Sequence, residues 1–245
     1  MKKEKHIFGI HPVEEALKSD VTLDKVYIQK DIPNQKITNL IASLEAKNVT
    51  INIVPEEKLN RLTRGNHQGI VAVTSPITFA SLDAVVEKAL AKSEAPLFII
   101  LDQISDVRNF GAIIRTAECT GVDAIIVQKK GGAPITGDTV KTSAGAIFNL
   151  PICKVDHIKD AIFYLQSSGI ATVAATEKTE TTIYDIDFKK PVAIIMGSEG
   201  KGVSKSVLNL VDEKAALPLL GEINSLNVSV ACGAFLYEIV RQRML

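Results

Sequence analysis

Five short apolar runs between residues 97 and 217 limit the fold of this chain more than any other feature, because an unbroken run of that length is buried as a strand covered on both faces. Leu97-Phe98-Ile99-Ile100-Leu101 opens the series and is closed by Asp102. Residues 124–127, 170–174, 192–196 and 215–217 continue it. Helical periodicity falls between or after these runs, at about 111–119, 158–166 and 227–243. Strands alternating with helices predict an α/β fold with a parallel sheet and helices on both of its faces. Ligands in such sheets bind beyond the carboxyl ends of the strands, which here means residues 102–109, 175–176, 197–202 and 218–227.

The first 75 residues read as a smaller α/β module. An amphipathic helix through Val13, Ala16 and Leu17 follows Gly9-Ile10-His11-Pro12. Strands are expected at 26–28, 49–54 and 70–73, and a helix at 37–46. Ser75-Pro76 ends the module. Residues 76–96, partly helical through Leu82, Val85, Val86 and Leu90, are expected to link it to a second domain at 97–245.

Composition narrows the function classes. The chain has 245 residues, 46% of them hydrophobic, enough for a substantial core. It contains no apolar run of the roughly 18 residues that cross a bilayer, and Met1-Lys2-Lys3-Glu4-Lys5-His6 is not followed by a signal-peptide core, so a cytoplasmic protein without a membrane partner is expected. Basic and acidic residues balance at 28 each, which argues against coating nucleic acid through bulk charge. Residues 1–75 lean basic by only 11 to 9, so any contact with nucleic acid must be local. The three cysteines, Cys119, Cys153 and Cys232, are widely spaced among apolar residues, and the four histidines lack ligand spacing; reduced core thiols and no metal are expected.

Three polar stretches stand out against this background. Gly197-Ser198-Glu199-Gly200-Lys201-Gly202 follows one buried strand and precedes a helix expected at 203–210. It fits neither the Walker spacing nor the dinucleotide fingerprint, so a nicotinamide-dependent oxidoreductase has no support. An ordinary strand-to-helix turn would use the glycines and leave Glu199 unexplained. Asn109 is placed to cap the helix that carries Arg115. Arg115 lies among Ile113, Ile114 and Ala117 and calls for a partner, either a protein carboxylate or a ligand phosphate. Asn224-Ser225-Leu226-Asn227 precedes the last helix, which Ser225 or Asn227 could cap; that helix is apolar on nearly every side and suits a core or a subunit interface.

Taken in order, Asn109 to Glu118, Met196 to Gly202, and Leu217-Pro218-Leu219 running on through Asn224 to Ala231 resemble the three signature motifs of the SpoU (TrmH-type) RNA ribose 2′-O-methyltransferases. The resemblance covers residues 97–243. Ile7-Phe8-Gly9-Ile10-His11-Pro12-Val13-Glu14-Glu15-Ala16-Leu17 and His67-Gln68-Gly69-Ile70 also resemble the RNA substrate-binding domain of the branch that modifies a guanosine of 23S rRNA. The resemblance implies a SPOUT-type catalytic domain with a deep trefoil knot, a homodimer, and S-adenosylmethionine held by main chain around Gly197, Leu217 and Leu226. It implies a polar catalytic set of Asn109, Arg115, Glu199, Ser225 and Asn227, with no metal. The motifs read cofactor and ribose rather than base, so the same reaction on tRNA or another rRNA nucleotide stays open. A non-catalytic RNA-binding protein of ribosome assembly is the alternative from another class.

Overall fold

A computed structural model describes residues 6–32 and 34–245. The chain divides into two units: one reaches Thr78 and includes Ile135–Gly137, and the other comprises Phe79–Pro134 and Asp138–Leu245.

In the first unit the elements are β1 (His6–Phe8), α1 (Ile10–Lys18), β2 (Leu23–Gln29), α2 (Gln35–Ala46), β3 (Thr50–Val54), α3 (Glu56–Leu62) and β4 (Ile70–Thr74). The sheet order is β1-β4-β2-β3, with β4 antiparallel to both neighbours and β2 parallel to β3. Val13, Leu17, Val26, Ile28, Leu40, Leu44, Ile70 and Ala72 form its core. The His67-Gln68-Gly69 turn has a structural task. His67 is buried; its Nδ1 accepts from the Gly69 amide (3.0 Å), and its Nε2 is 3.0 Å from Asn60 Oδ1. Gln68, held at φ 49°, accepts through Oε1 from the Ile10 amide at 3.1 Å and so satisfies a free donor at the start of α1.

The second unit contains α4 (Leu82–Lys92), β5 (Leu97–Asp102), α5 (Val107–Cys119), β6 (Ala124–Gln128), α6 (Gly137–Thr142), β7 (Ile152–Val155), α7 (Ile158–Ser167), β8 (Ala171–Ala175), β9 (Val192–Gly197), α8 (Lys205–Leu208), β10 (Glu213–Ala215) and α9 (Val228–Met244). All six strands are parallel, in the order β10-β8-β9-β5-β6-β7. β5 and β9 lie at the centre, and every residue of both is buried, as their unbroken apolar runs require. The chain proceeds outward from β5 through β6 to β7, then crosses to β8 and returns inward to β9. The order therefore reverses between β5 and β9, whose carboxyl ends, Asp102 and Gly197, are paired neighbours. A crevice for a ligand forms at such a reversal. α4, within the stretch expected to be a linker, buries Val86 and Ala89 in the core of this unit with Phe98, Ile126, Ile162 and Ile195.

Several expected elements change. β7 and α3 were not expected; the first carries Lys154 and the second buries only Leu59, so neither shows the apolar pattern of a buried element. The helix expected at 203–210 shortens to α8, and the strand expected at 215–217 becomes β10, an edge strand that begins on Glu213 and Lys214 and leaves Leu217 in the following loop. α9 is not buried all round: Val230 and Tyr237 are exposed. Among the described residues, no helix is long and apolar enough to cross a membrane.

Burial pushes the Cys153 thiol up to about 11 and the Cys232 thiol up to about 12, whereas Cys119 is exposed. The thiolate is the reacting form, so the buried pair stays unreactive near neutral pH. Titration of the native protein with a chromogenic disulfide at pH 8 is expected to count one thiol, and titration in denaturant three; a native count above one would contradict this packing.

Candidate active site

Gly197 ends β9 where no other residue fits. A Cβ there would lie 2.0 Å from Gly202 C and Val203 N, so the turn can fold back over the strand end only above a hydrogen atom. Gly202, at φ 67°, closes the turn by donating its amide to the Ser198 carbonyl at 2.8 Å. Buried Asp102 then ties the turn to β5 by accepting the Ser204 amide at 2.8 Å.

Glu199 projects from this turn and joins two residues distant in sequence. Its Oε1 accepts from Asn109 Nδ2 (2.7 Å) and from Asn227 Nδ2 (2.8 Å), and Asn227 Nδ2 also donates to Asn109 Oδ1 (3.0 Å). The triangle is closed and fixes both amide orientations: Asn227 Oδ1 accepts from the amides of Ser229 (2.9 Å) and Val230 (3.4 Å) and from Ser229 Oγ (2.6 Å), so its nitrogen must face Glu199.

Asn227 is therefore the N-cap of α9. Asn109, by contrast, is not a cap. α5 begins two residues before it, and the Asp106 carboxylate accepts from the amides of Arg108 (2.9 Å) and Asn109 (2.8 Å). With Asp106 doing the capping, the Asn109 side chain is free to meet Glu199.

Beside the triangle opens a cavity of about 580 Å³ at the ends of β8 and β9. Gly197, Leu217 and Leu226 line it, as do Glu199, Ser225 and Asn227. Met196, Val228, Ala231 and Phe235 give it an apolar side; Thr176 and Ser198 add hydroxyls. Its size and mixed lining suit a nucleoside-sized ligand with a charged tail. Ala231 and Phe235 were not singled out from the sequence, although their spacing on α9 places them on one helix face. Asp102 was read as the end of an apolar run and the start of a ligand-facing segment, without a structural role of its own.

Arg115 stands apart from this assembly. It is exposed on α5, on a side opposite to buried Ile113, Ile114 and Ala117, and it makes no hydrogen bond or ion pair among the described residues. Of the two expected partners, a protein carboxylate is not found for it among the described residues. Asn109 and Arg115 are separated by about 9 Å along the helix at 1.5 Å per residue.

A parallel α/β sheet with a glycine-closed turn, a capped last helix and a cavity beyond the ends of β8 and β9 has the form of an α/β enzyme that binds a nucleoside-sized ligand. Residues 96–237 match the SpoU rRNA methylase family, and residues 6–80 match the RNA 2′-O ribose methyltransferase substrate-binding domain. A protein of Staphylococcus epidermidis assigned to the TrmH family of tRNA/rRNA methyltransferases is 35% identical over 238 residues, covering 97% of this chain and 95% of its own. Among solved structures, the S-adenosylmethionine-bound rRNA methyltransferase of Sinorhizobium meliloti superposes with a TM-score of 0.62 at 25% identity, covering 98% of this chain and 87% of that one. The SpoU methyltransferase AviRb of Streptomyces viridochromogenes, with the same cofactor, superposes at 0.63 and 23% identity, covering 99% and 91%. The chain belongs to the SpoU family of RNA methyltransferases. It is an enzyme whose methyl donor is S-adenosylmethionine.

Replacing Asn227 with Ala removes the α9 cap and one corner of the triangle. Loss of a cap of this kind costs about 1 kcal/mol. Urea denaturation of N227A should show that loss in the midpoint with an unchanged slope; an unchanged midpoint would mean that the cap carries no stability.

Proposed function

We propose that the enzyme methylates the 2′-hydroxyl of a guanosine ribose in 23S rRNA, with residues 97–245 as the catalytic domain and residues 1–75 as the part that selects the RNA. The observation that carries this reading is the closed Asn109–Glu199–Asn227 triangle on the edge of the cofactor-sized cavity. It presents fixed amides where a ribose would meet a methyl donor. The match of residues 6–80 to a ribose methyltransferase substrate-binding domain supports the choice of the ribose oxygen.

S-adenosylmethionine, when bound, supplies a methyl group on a sulfonium centre, open to in-line displacement. The cavity fits it: Met196, Leu217, Leu226 and Phe235 offer surface to the adenine, and Thr176, Ser198 and Ser225 offer hydroxyls to its polar parts. The chain must then align the ribose hydroxyl and ease the loss of its proton. Asn109 and Asn227 orient the ribose, and Ser225 shapes its pocket. Glu199 is a positioning residue, holding both amides in place. Arg115 binds the phosphate beside the target ribose, and its charge stabilises the 2′-oxygen as the proton leaves; a guanidinium stays protonated, so it acts through charge. Its lack of a partner among the described residues agrees with a ligand role and with a homodimer in which Arg115 serves the site of the second protomer. In this reading the Gly197–Gly202 turn and the loop before Asn227 belong to a trefoil knot.

Ribose methylation mapped across rRNA and tRNA, in cells with and without the protein, tests the reading. Loss of one 23S guanosine methyl is expected; loss of a tRNA methyl would move the substrate to tRNA, and an unchanged map would remove the activity. Arg115→Ala should abolish turnover and leave S-adenosylmethionine affinity within severalfold of wild type by calorimetry. Substantial residual methylation by R115A would sink the role given to Arg115.

A further inference from the structure

A second cavity, of about 460 Å³, lies against the first and shares Lys178, Ser198, Lys201 and Gly202 with it. Its lining holds Lys178, Lys201 and Lys205 and no carboxylate. These lysines come from three separate places: the segment after β8, the turn after β9, and the first residue of α8. None of their ammonium groups makes a hydrogen bond or ion pair among the described residues. Some lysines elsewhere in this neutral chain pair with a carboxylate, as in Lys18–Glu15, Lys129–Asp156 and Lys190–Glu213, and others such as Lys88 and Lys92 stand singly; here three unpaired lysines line one hollow. Gathering three like charges around one hollow is unfavourable unless an anion enters it.

Two further features make the hollow a receptor for oxygen atoms. The hydroxyls of Ser198 and Ser204 line it and make no hydrogen bond among the described residues, so both remain available as donors. Gln103 also lines it, with its backbone held at φ 61°. That conformation is uncommon for a residue that is neither glycine nor asparagine, and here buried Asp102 is pinned to Ser204 on one side while the Ile104 carbonyl accepts the Ala133 amide on the other. Strain of this kind gathers at ligand contacts.

We infer that this lysine cavity seats a backbone phosphate of the RNA substrate, as a phosphate contact additional to the one given to Arg115. The inference rests on the reading of the protein as an RNA methyltransferase. It also accounts for a neutral chain acting on RNA: charge is concentrated where the strand passes instead of being spread over the surface.

Lysine acetylation of the whole protein, read by mass spectrometry, tests this directly. The probe is total RNA from cells lacking the protein, with exposed Lys88 and Lys92 of α4 as internal references. RNA should protect Lys178, Lys201 and Lys205 severalfold relative to the references, and high salt should remove the protection. Lys205 lines only the second cavity, so Lys205→Gln should raise KM for RNA severalfold, leave kcat and S-adenosylmethionine affinity near wild type, and lower the slope of log affinity against log salt by about 0.7. Protection of lysines elsewhere but not of these three would overturn the inference and leave the methylation reading intact. Protection by S-adenosylmethionine alone would assign the hollow to the cofactor's carboxylate and overturn it too. If RNA protects no lysine and accepts no methyl group, the functional reading fails together with the inference.

Discussion

The site depends on a clamp between two strand ends. Gly197 leaves room for the backbone of Gly202 and Val203 to press against it, and the Asp102 carboxylate holds the Ser204 amide from the neighbouring strand. A side chain at 197 would meet main-chain atoms, which cannot move aside as a side chain could. A buried carboxylate without its amide would be left with an unmet charge. Once the clamp is closed, Glu199 has one direction in which to project, and both cavities acquire a common wall.

From that wall the division of labour follows. The apolar residues of β9 and α9 leave a hollow suited to a flat, largely uncharged ring system, while the turn itself supplies one hydroxyl, one carboxylate and one ammonium group. The carboxylate is satisfied within the chain and stiffens two amides. The ammonium has no partner among the described residues. Such a split, in which the negative group is consumed internally and positive groups are left over, makes a patch that attracts a polyanion without shifting the overall charge balance.

Much of this could be read from the residues. The runs at Leu97–Leu101 and Val192–Met196 announce strands buried on both faces, and the structure places them at the centre of a parallel sheet. The three polar stretches were recognisable, and Asn109, Glu199 and Asn227 meet although they are far apart in sequence. What failed was local assignment where two residues could do one job. Asp106 and Asn109 are both good caps, and only the entry path of the chain decides that Asp106 takes the role. Arg115 looked buried because its sequence neighbours are apolar, yet a helix puts successive residues on different faces. β7 and α3 escaped notice because edge and surface elements need few apolar residues. Of the lysines of the second hollow, Lys201 lay in a recognisable stretch, whereas Lys178 and Lys205 had no signature, since the grouping exists only after folding.

Asn227 links the site to the order in which the chain assembles. The same side chain starts α9 and completes the triangle, and its partners lie 28 and 118 residues away along the chain. Contacts across such distances form only after the intervening chain has been organised, because closing long loops costs entropy before any contact repays it. A partly folded molecule therefore does not hold the amide pair. Possession of the closed triangle is itself the sign that folding of the second unit has finished.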